Sequence, residues 1–108
     1  MPPEDFESPL FEIMTPLGIR IRTTPSYWKK IITLKHPIMV GQEEAVQQTL
    51  QDPSEIRRSQ SDADVYLYYK PEPPNFICVV TRHLNGEGFV ITTYRTNRIK
   101  IGDLVWTA

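Results

Sequence analysis

The chain is short of the residues that build covalent and metal-bound frameworks. Among 108 residues it has one cysteine, Cys78, and two histidines, His36 and His83. An internal disulfide and a cysteine-caged zinc are excluded, and no transition-metal site or cofactor is expected. Long apolar runs are also missing. The richest, "FICVV", is strand-length, far below the roughly 20 residues of a membrane-spanning helix, so no membrane partner is expected. The five glycines form no strand–loop–helix phosphate signature, which speaks against a dinucleotide enzyme. No basic, apolar leader is read at the start, and a cytoplasmic location is the expectation.

Neither sign of charge dominates. Twelve Lys and Arg stand against 13 Asp and Glu, a net charge of −1, which argues against a generic nucleic-acid surface. The balance hides an asymmetry. Glu4, Asp5, Glu7 and Glu12 precede every basic residue, so residues 13–108 carry 12 basic against 9 acidic side chains, a charge of +3. Where such charges converge they suit a phosphate-bearing ligand; dispersed, they make an ordinary solvated surface.

What is present reads as one domain over residues 10–108, preceded by an acidic, Pro-rich arm over residues 1–9. "LFEIM" and "GIRIRTT" are short strands around the turn "TPLG". Thr24 supplies an N-cap and Pro25 a first helical residue for "SYWKKIITLK", whose Trp28, Ile31 and Ile32 share a face. Pro37 ends that helix, because the residue before a proline is pushed out of the α region. A second helix is predicted from about Gly41 to Leu50, with Glu43 and Glu44 complementing its dipole. "SEIRRS", "DVYLYYK", "NFICVVTRH" and "GFVITTYRT" are strands, the last two joined by the Asn85–Gly86 hairpin turn and "KPEPPN" serving as a linker. The predicted class is α+β: an N-terminal hairpin and two short helices packed on an antiparallel sheet of about four strands.

A two-residue turn at Asn85–Gly86 sets a register in which His83 faces Gly88, Thr81 faces Val90, Val79 faces Thr92 and Ile77 faces Tyr94. One face then collects His83, Thr81, Thr92 and Tyr94. The other collects Phe76, Cys78, Val80, Arg82, Phe89, Ile91, Thr93 and Arg95, and is expected to cover the helices. Cys78 is read as a small buried hydrophobe, Trp28 as a core anchor, and His83 as a solvated residue beside the turn. The Tyr66–Tyr68 pair is read as strand packing before base stacking. Trp106 either closes the core or seeds a dimer contact.

The pieces "LKHP", "VQQTLQDPSEIRRS", "DVYLYYK", "FICVVTRHLNGEGFVITTYRT" and "IKIGDLVW" follow one another in an order that resembles the phage-associated nuclease-like families. These are grouped with the barnase, EndoU, colicin-type and RelE-type ribonucleases. The resemblance covers roughly residues 28–106. It implies metal-independent RNA cleavage by attack of a 2′-hydroxyl on the adjacent phosphate, a reaction that needs a base, an acid and cations for the extra charge. His36, in the position of the family's histidine before proline, is then the catalytic imidazole. Thr92 and Tyr94 orient the phosphate or the 2′-hydroxyl. Lys35, Arg57, Arg58, Ser59, Arg82 and Arg95 are the phosphate- and RNA-binding candidates.

The same residues carry blander readings. His36 at a helix end is also a plain C-terminal cap, and Ser59 also a strand end. The functions to be weighed are a small ribonuclease of toxin type, held by a protein antitoxin, and a non-catalytic module of the same fold that binds a protein or RNA. The ribonuclease reading expects His36, one or more arginines, and Thr92 or Tyr94 to converge in a cleft over the sheet.

Overall fold

Thr24 and Pro25 start the first helix as their chemistry dictates. In the structure, a computed structural model that describes residues 7–108, α1 spans Pro25–Lys30, and the Tyr27 N–H donates to Thr24 Oγ1 at 3.2 Å. The helix then widens into a π-helical turn, Ile31–Lys35, closed by the His36 N–H donating to the Ile31 carbonyl at 2.7 Å. His36 itself leaves the helical region, with φ −140° and ψ 78°, ahead of Pro37. A 3-10 turn, Pro37–Met39, leads to α2, Glu43–Gln51, which buries Val46, Thr49 and Leu50. Of the arm read over residues 1–9, residues 1–6 lie outside the described residues, and Glu7 accepts a hydrogen bond from Ser26 Oγ at 2.6 Å.

The strands are β1 (Phe11–Met14), β2 (Arg20–Thr23), β3 (Glu55–Ser59), β4 (Val65–Glu72), β5 (Asn75–Leu84), β6 (Glu87–Thr96) and β7 (Gly102–Thr107). Among the described residues they form one seven-stranded sheet in the order β1-β2-β6-β5-β4-β3-β7. The fold is α+β as read, but the expected four-stranded antiparallel sheet is extended at both edges. The N-terminal hairpin joins it through a parallel pairing of β2 with β6, and β7 pairs with β3. "KPEPPN" is not a linker either. β4 runs through Pro71, which lies past the end of the β3 pairing at Tyr69, so its missing N–H removes no bond on that side. Among the described residues no helix is long and apolar enough to cross a membrane.

The parallel pairing needs one small residue. Gly88 stands opposite Ile21, and a Cβ there would sit 2.6 Å from Ile21 Cδ1 and 2.7 Å from the Arg82 carbonyl oxygen. Gly88→Ala is therefore expected to push β2 off the sheet and cost about 1–3 kcal/mol. A urea melt that leaves the midpoint unchanged would contradict that.

The Asn85–Gly86 turn has both φ values positive, 53° and 81°, and the predicted pairs hold from Leu84–Glu87 to Thr81–Val90. There the register shifts. Ile91 is an extra residue on β6, and beyond it Val80 faces Thr92, Val79 faces Thr93 and Cys78 faces Tyr94. The expected face assignment holds for Thr92, Thr93, Tyr94 and Arg95 on β6 and is overturned for β5 and Phe89, for two reasons. First, Ile56, Tyr68, Val79 and Thr93 align across four strands, all fully buried, so the face with Ile77, Val79 and Thr81 covers the helices. A single hairpin could not reveal that row. Second, the bulge splits both predicted sets: Thr92 and Tyr94 part from Thr81 and His83, and Thr93 and Arg95 part from Cys78 and Val80. Trp28 is 4% exposed in the helix-side core, and Trp106 packs against the same core.

Candidate functional site

The face away from the helices carries its own small cluster. Leu67, Tyr69 and Cys78 are buried there, with Phe76, Val80, Tyr94 and Ile99 against them. A strap, residues 97–101, provides the cover by carrying the chain from β6 across β5, β4 and β3 to β7. Four strand spacings amount to about 19 Å, and the six steps from Thr96 to Gly102 reach about 20 Å when extended. The strap is thus taut, and it is pinned where the Lys100 N–H donates to the Tyr69 hydroxyl at 3.0 Å.

Beside the strap lies a cavity of about 370 Å³. Val65, Leu67 and Val80 line it with apolar surface, together with Ser59, Gln60 and Ser61, with Thr92 and Tyr94 of β6, and with Lys100 and Ile101 of the strap. Two of its polar atoms are unsatisfied: Thr92 Oγ1 and Tyr94 Oη are enclosed and make no hydrogen bond. Burial beside the Cys78 thiol pushes the Tyr94 hydroxyl above its usual range, so at neutral pH it is a proton-bearing phenol that can donate but not act as a base. Burial likewise raises the Cys78 thiol to about 11, which rules it out as a ready nucleophile.

His36 adjoins this site from the edge of the sheet and is not among the residues that line the cavity. β2 pairs only with Glu87–Phe89, which leaves the outer edge of β6 beyond that point to the turns around His36. The imidazole packs on Tyr94 with ring centroids 5.3 Å apart and planes inclined at 47°. On the same tyrosine the Lys100 ammonium lies 5.7 Å from the ring centroid, within cation–π range. His36 is also the C-cap residue of the turn, closing it through its backbone N–H. Among the described residues no three His, Cys, Asp or Glu side chains gather as a metal-binding group.

The other predicted residues divide. Ser59 lines the cavity and shares a hydrogen bond with Ser61 at 3.1 Å. Arg57 and Arg82 stand on the same sheet face but are engaged: Arg57 with Glu55 and the Gly102 carbonyl, Arg82 with Asp62 at 3.0 Å. The Asp62 carboxyl is held below its usual range by the Asp64 N–H and by Arg82. Arg95 is on the helix face, bonded to Glu72 and to Gln42 at 2.9 Å, and so is not part of the cleft. Arg58 is exposed, opposite Tyr66 on that same side. The Lys35 ammonium is bonded to the Ile91 carbonyl at 3.2 Å. Lys100 was not singled out from sequence; only the path of the strap brings it to Tyr94.

His83 is not a solvated turn residue. It stacks on Tyr66 with centroids 3.9 Å apart and planes 8° from parallel, and its Nε2 lies 3.2 Å from the Tyr68 hydroxyl, which donates to Thr15 Oγ1. Burial pulls its pKa down to about 4. The unfolded chain, with histidine near 6.5, binds a proton that the folded chain refuses. Stability is therefore full above that pH and declines as pH falls toward 4. The expected loss is about 1–2 kcal/mol, allowing for solvent screening of a half-buried ring. Urea titrations at pH 7 and pH 4.5 should show that loss in the wild type and a smaller one in His83→Gln; parallel losses would contradict it.

Comparison with family models, with curated proteins and with solved structures finds no match to this chain. The reading of the site therefore stands on its own geometry.

Proposed function

We propose that the strap-covered face cleaves single-stranded RNA by attack of a ribose 2′-hydroxyl on its own 3′-phosphate. The observation that carries this reading is the packing of His36 on Tyr94, beside a cavity that also presents Thr92 and Lys100. The His36 imidazole takes the 2′-hydroxyl proton as the 2′-oxygen bonds to phosphorus and the bond to the 5′-oxygen breaks. The 5′-oxygen leaves with a proton from water, and the products are a 2′,3′-cyclic phosphate and a 5′-hydroxyl. The Lys100 ammonium balances the charge that builds on the phosphoryl oxygens, and the Tyr94 and Thr92 hydroxyls donate to them. A base adjoining that phosphate rests on Val65, Leu67 and Val80, with Ser59, Gln60 and Ser61 at its edge. This apolar floor suits single-stranded RNA, whose bases are free to leave the stack.

One observation favours a second reading, a non-catalytic module that binds a protein or RNA. Arg57, Arg82 and Arg95 already have carboxylate partners, which lowers the positive potential open to a phosphate chain. Incubation with mixed single-stranded RNA in EDTA, followed by mapping of the ends, separates the two. Cyclic-phosphate ends support the ribonuclease; intact RNA that is nonetheless bound supports the module.

A further inference from the structure

The β6 bulge leaves Ile91 outside the paired register: it has no partner on β5, and β2 ends its pairing at Phe89. Two side chains from the helical segment bond its carbonyl oxygen. The Tyr27 hydroxyl donates to it at 2.9 Å and the Lys35 ammonium at 3.2 Å, while the ammonium also lies 3.5 Å from the Tyr27 oxygen and 5.6 Å from the centre of its ring. Tyr27 belongs to α1 and Lys35 ends the π-helical turn, so one carbonyl holds both ends of the segment that carries His36.

The consequence is geometric. His36 is the next residue after Lys35, and Thr92 is the next residue after Ile91. The lysine–carbonyl bond therefore ties together the two backbones that bear the imidazole and the cavity hydroxyls. It also sits on the residue whose insertion turns Thr92 and Tyr94 to the cavity face. We infer that Tyr27 and Lys35 are positioning residues: by clamping the Ile91 carbonyl they hold the His36 ring against Tyr94. In this role the Lys35 charge faces a backbone oxygen and not a phosphate. The catalytic side of the inference rests on the ribonuclease reading; the placement of His36 does not.

The test compares Lys35→Met, Lys35→Arg, Tyr27→Phe and the Tyr27→Phe/Lys35→Met double variant. Two readouts are taken, NMR contact between the His36 and Tyr94 ring protons and the kinetics of RNA cleavage. The double variant is expected to lose the ring contact and, with it, about 10-fold or more in kcat, at a KM within about 2-fold of wild type, since small misplacement of a reacting group costs rate more than binding. Lys35→Arg, which keeps a donor, is expected to retain both, and Lys35→Met to weaken both. A merely stabilising role would lower the melting temperature and leave ring contact and kcat where they are; that result overturns the inference. If the double variant does not fold, equal ring contact in Lys35→Met and Lys35→Arg overturns it, and loss in Met with retention in Arg upholds it. Should the wild type cut no RNA, the ribonuclease reading fails, and the ring contact alone decides the clamp.

Discussion

His36→Ala is expected to reduce RNA cleavage in EDTA by about 10²–10⁴-fold, the range in which a positioned acid–base group contributes. His36 packs on Tyr94, one of the residues that line the cavity, without lining it itself. The other histidine supplies an internal control. His83 lies on the helix face, held by Tyr66 and Tyr68, so His83→Gln is expected to cut RNA at the wild-type rate while changing acid stability. Single-stranded RNA, end mapping and a far-UV spectrum of each variant make the comparison. Cyclic-phosphate ends lost in a folded His36→Ala protein support the mechanism. Equal cutting by both proteins removes His36 from it, and absence of cutting by either moves the assignment to the binding module.

The second large effect concerns the core. Tyr68 is fully buried at the middle of the helix-facing row, between Ile56 on β3 and Val79 on β5. Its hydroxyl donates to Thr15 on the β1–β2 turn and meets His83 on β5, so it joins three parts of the fold. Burial pushes its pKa up to about 12, which keeps it a donor at any working pH. Tyr68→Ala removes a large buried side chain and is expected to cost about 3–5 kcal/mol. That is a large share of the about 5–15 kcal/mol that stabilises a domain. Tyr68→Phe keeps the ring but strands the Thr15 and His83 partners, at about 1–3 kcal/mol. Urea unfolding with unchanged slope measures both. A Tyr68→Ala loss no greater than that of Tyr68→Phe would mean that the hydroxyl network, not the ring, carries the contribution.

The sequence by itself determined the local elements, because each rests on chemistry confined to a few neighbouring residues. Thr24 and Pro25 begin α1, Pro37 forces the chain out of helix at His36, and Asn85–Gly86 makes the positive-φ turn. Strand alternation in "DVYLYYK" puts Tyr66 and Tyr68 on one face and Leu67 and Tyr69 on the other, whatever lies on either side. Which of the two faces meets the helices is a property of the assembled sheet. It was decided by the alignment of Ile56, Tyr68, Val79 and Thr93 across four strands distant in sequence. The site is of the same kind. His36, Thr92 and Tyr94 were legible as residue types, but their meeting depends on the single extra residue Ile91. A bulge leaves the composition of a strand unchanged while reversing every side chain beyond it. Lys100 reaches Tyr94 only because the strap must cross the sheet to β7, and Arg95 is withdrawn to Gln42 and Glu72 by the same register shift. Local pattern is short-ranged and was readable; the convergence of side chains depends on register and topology, which only the packed fold decides.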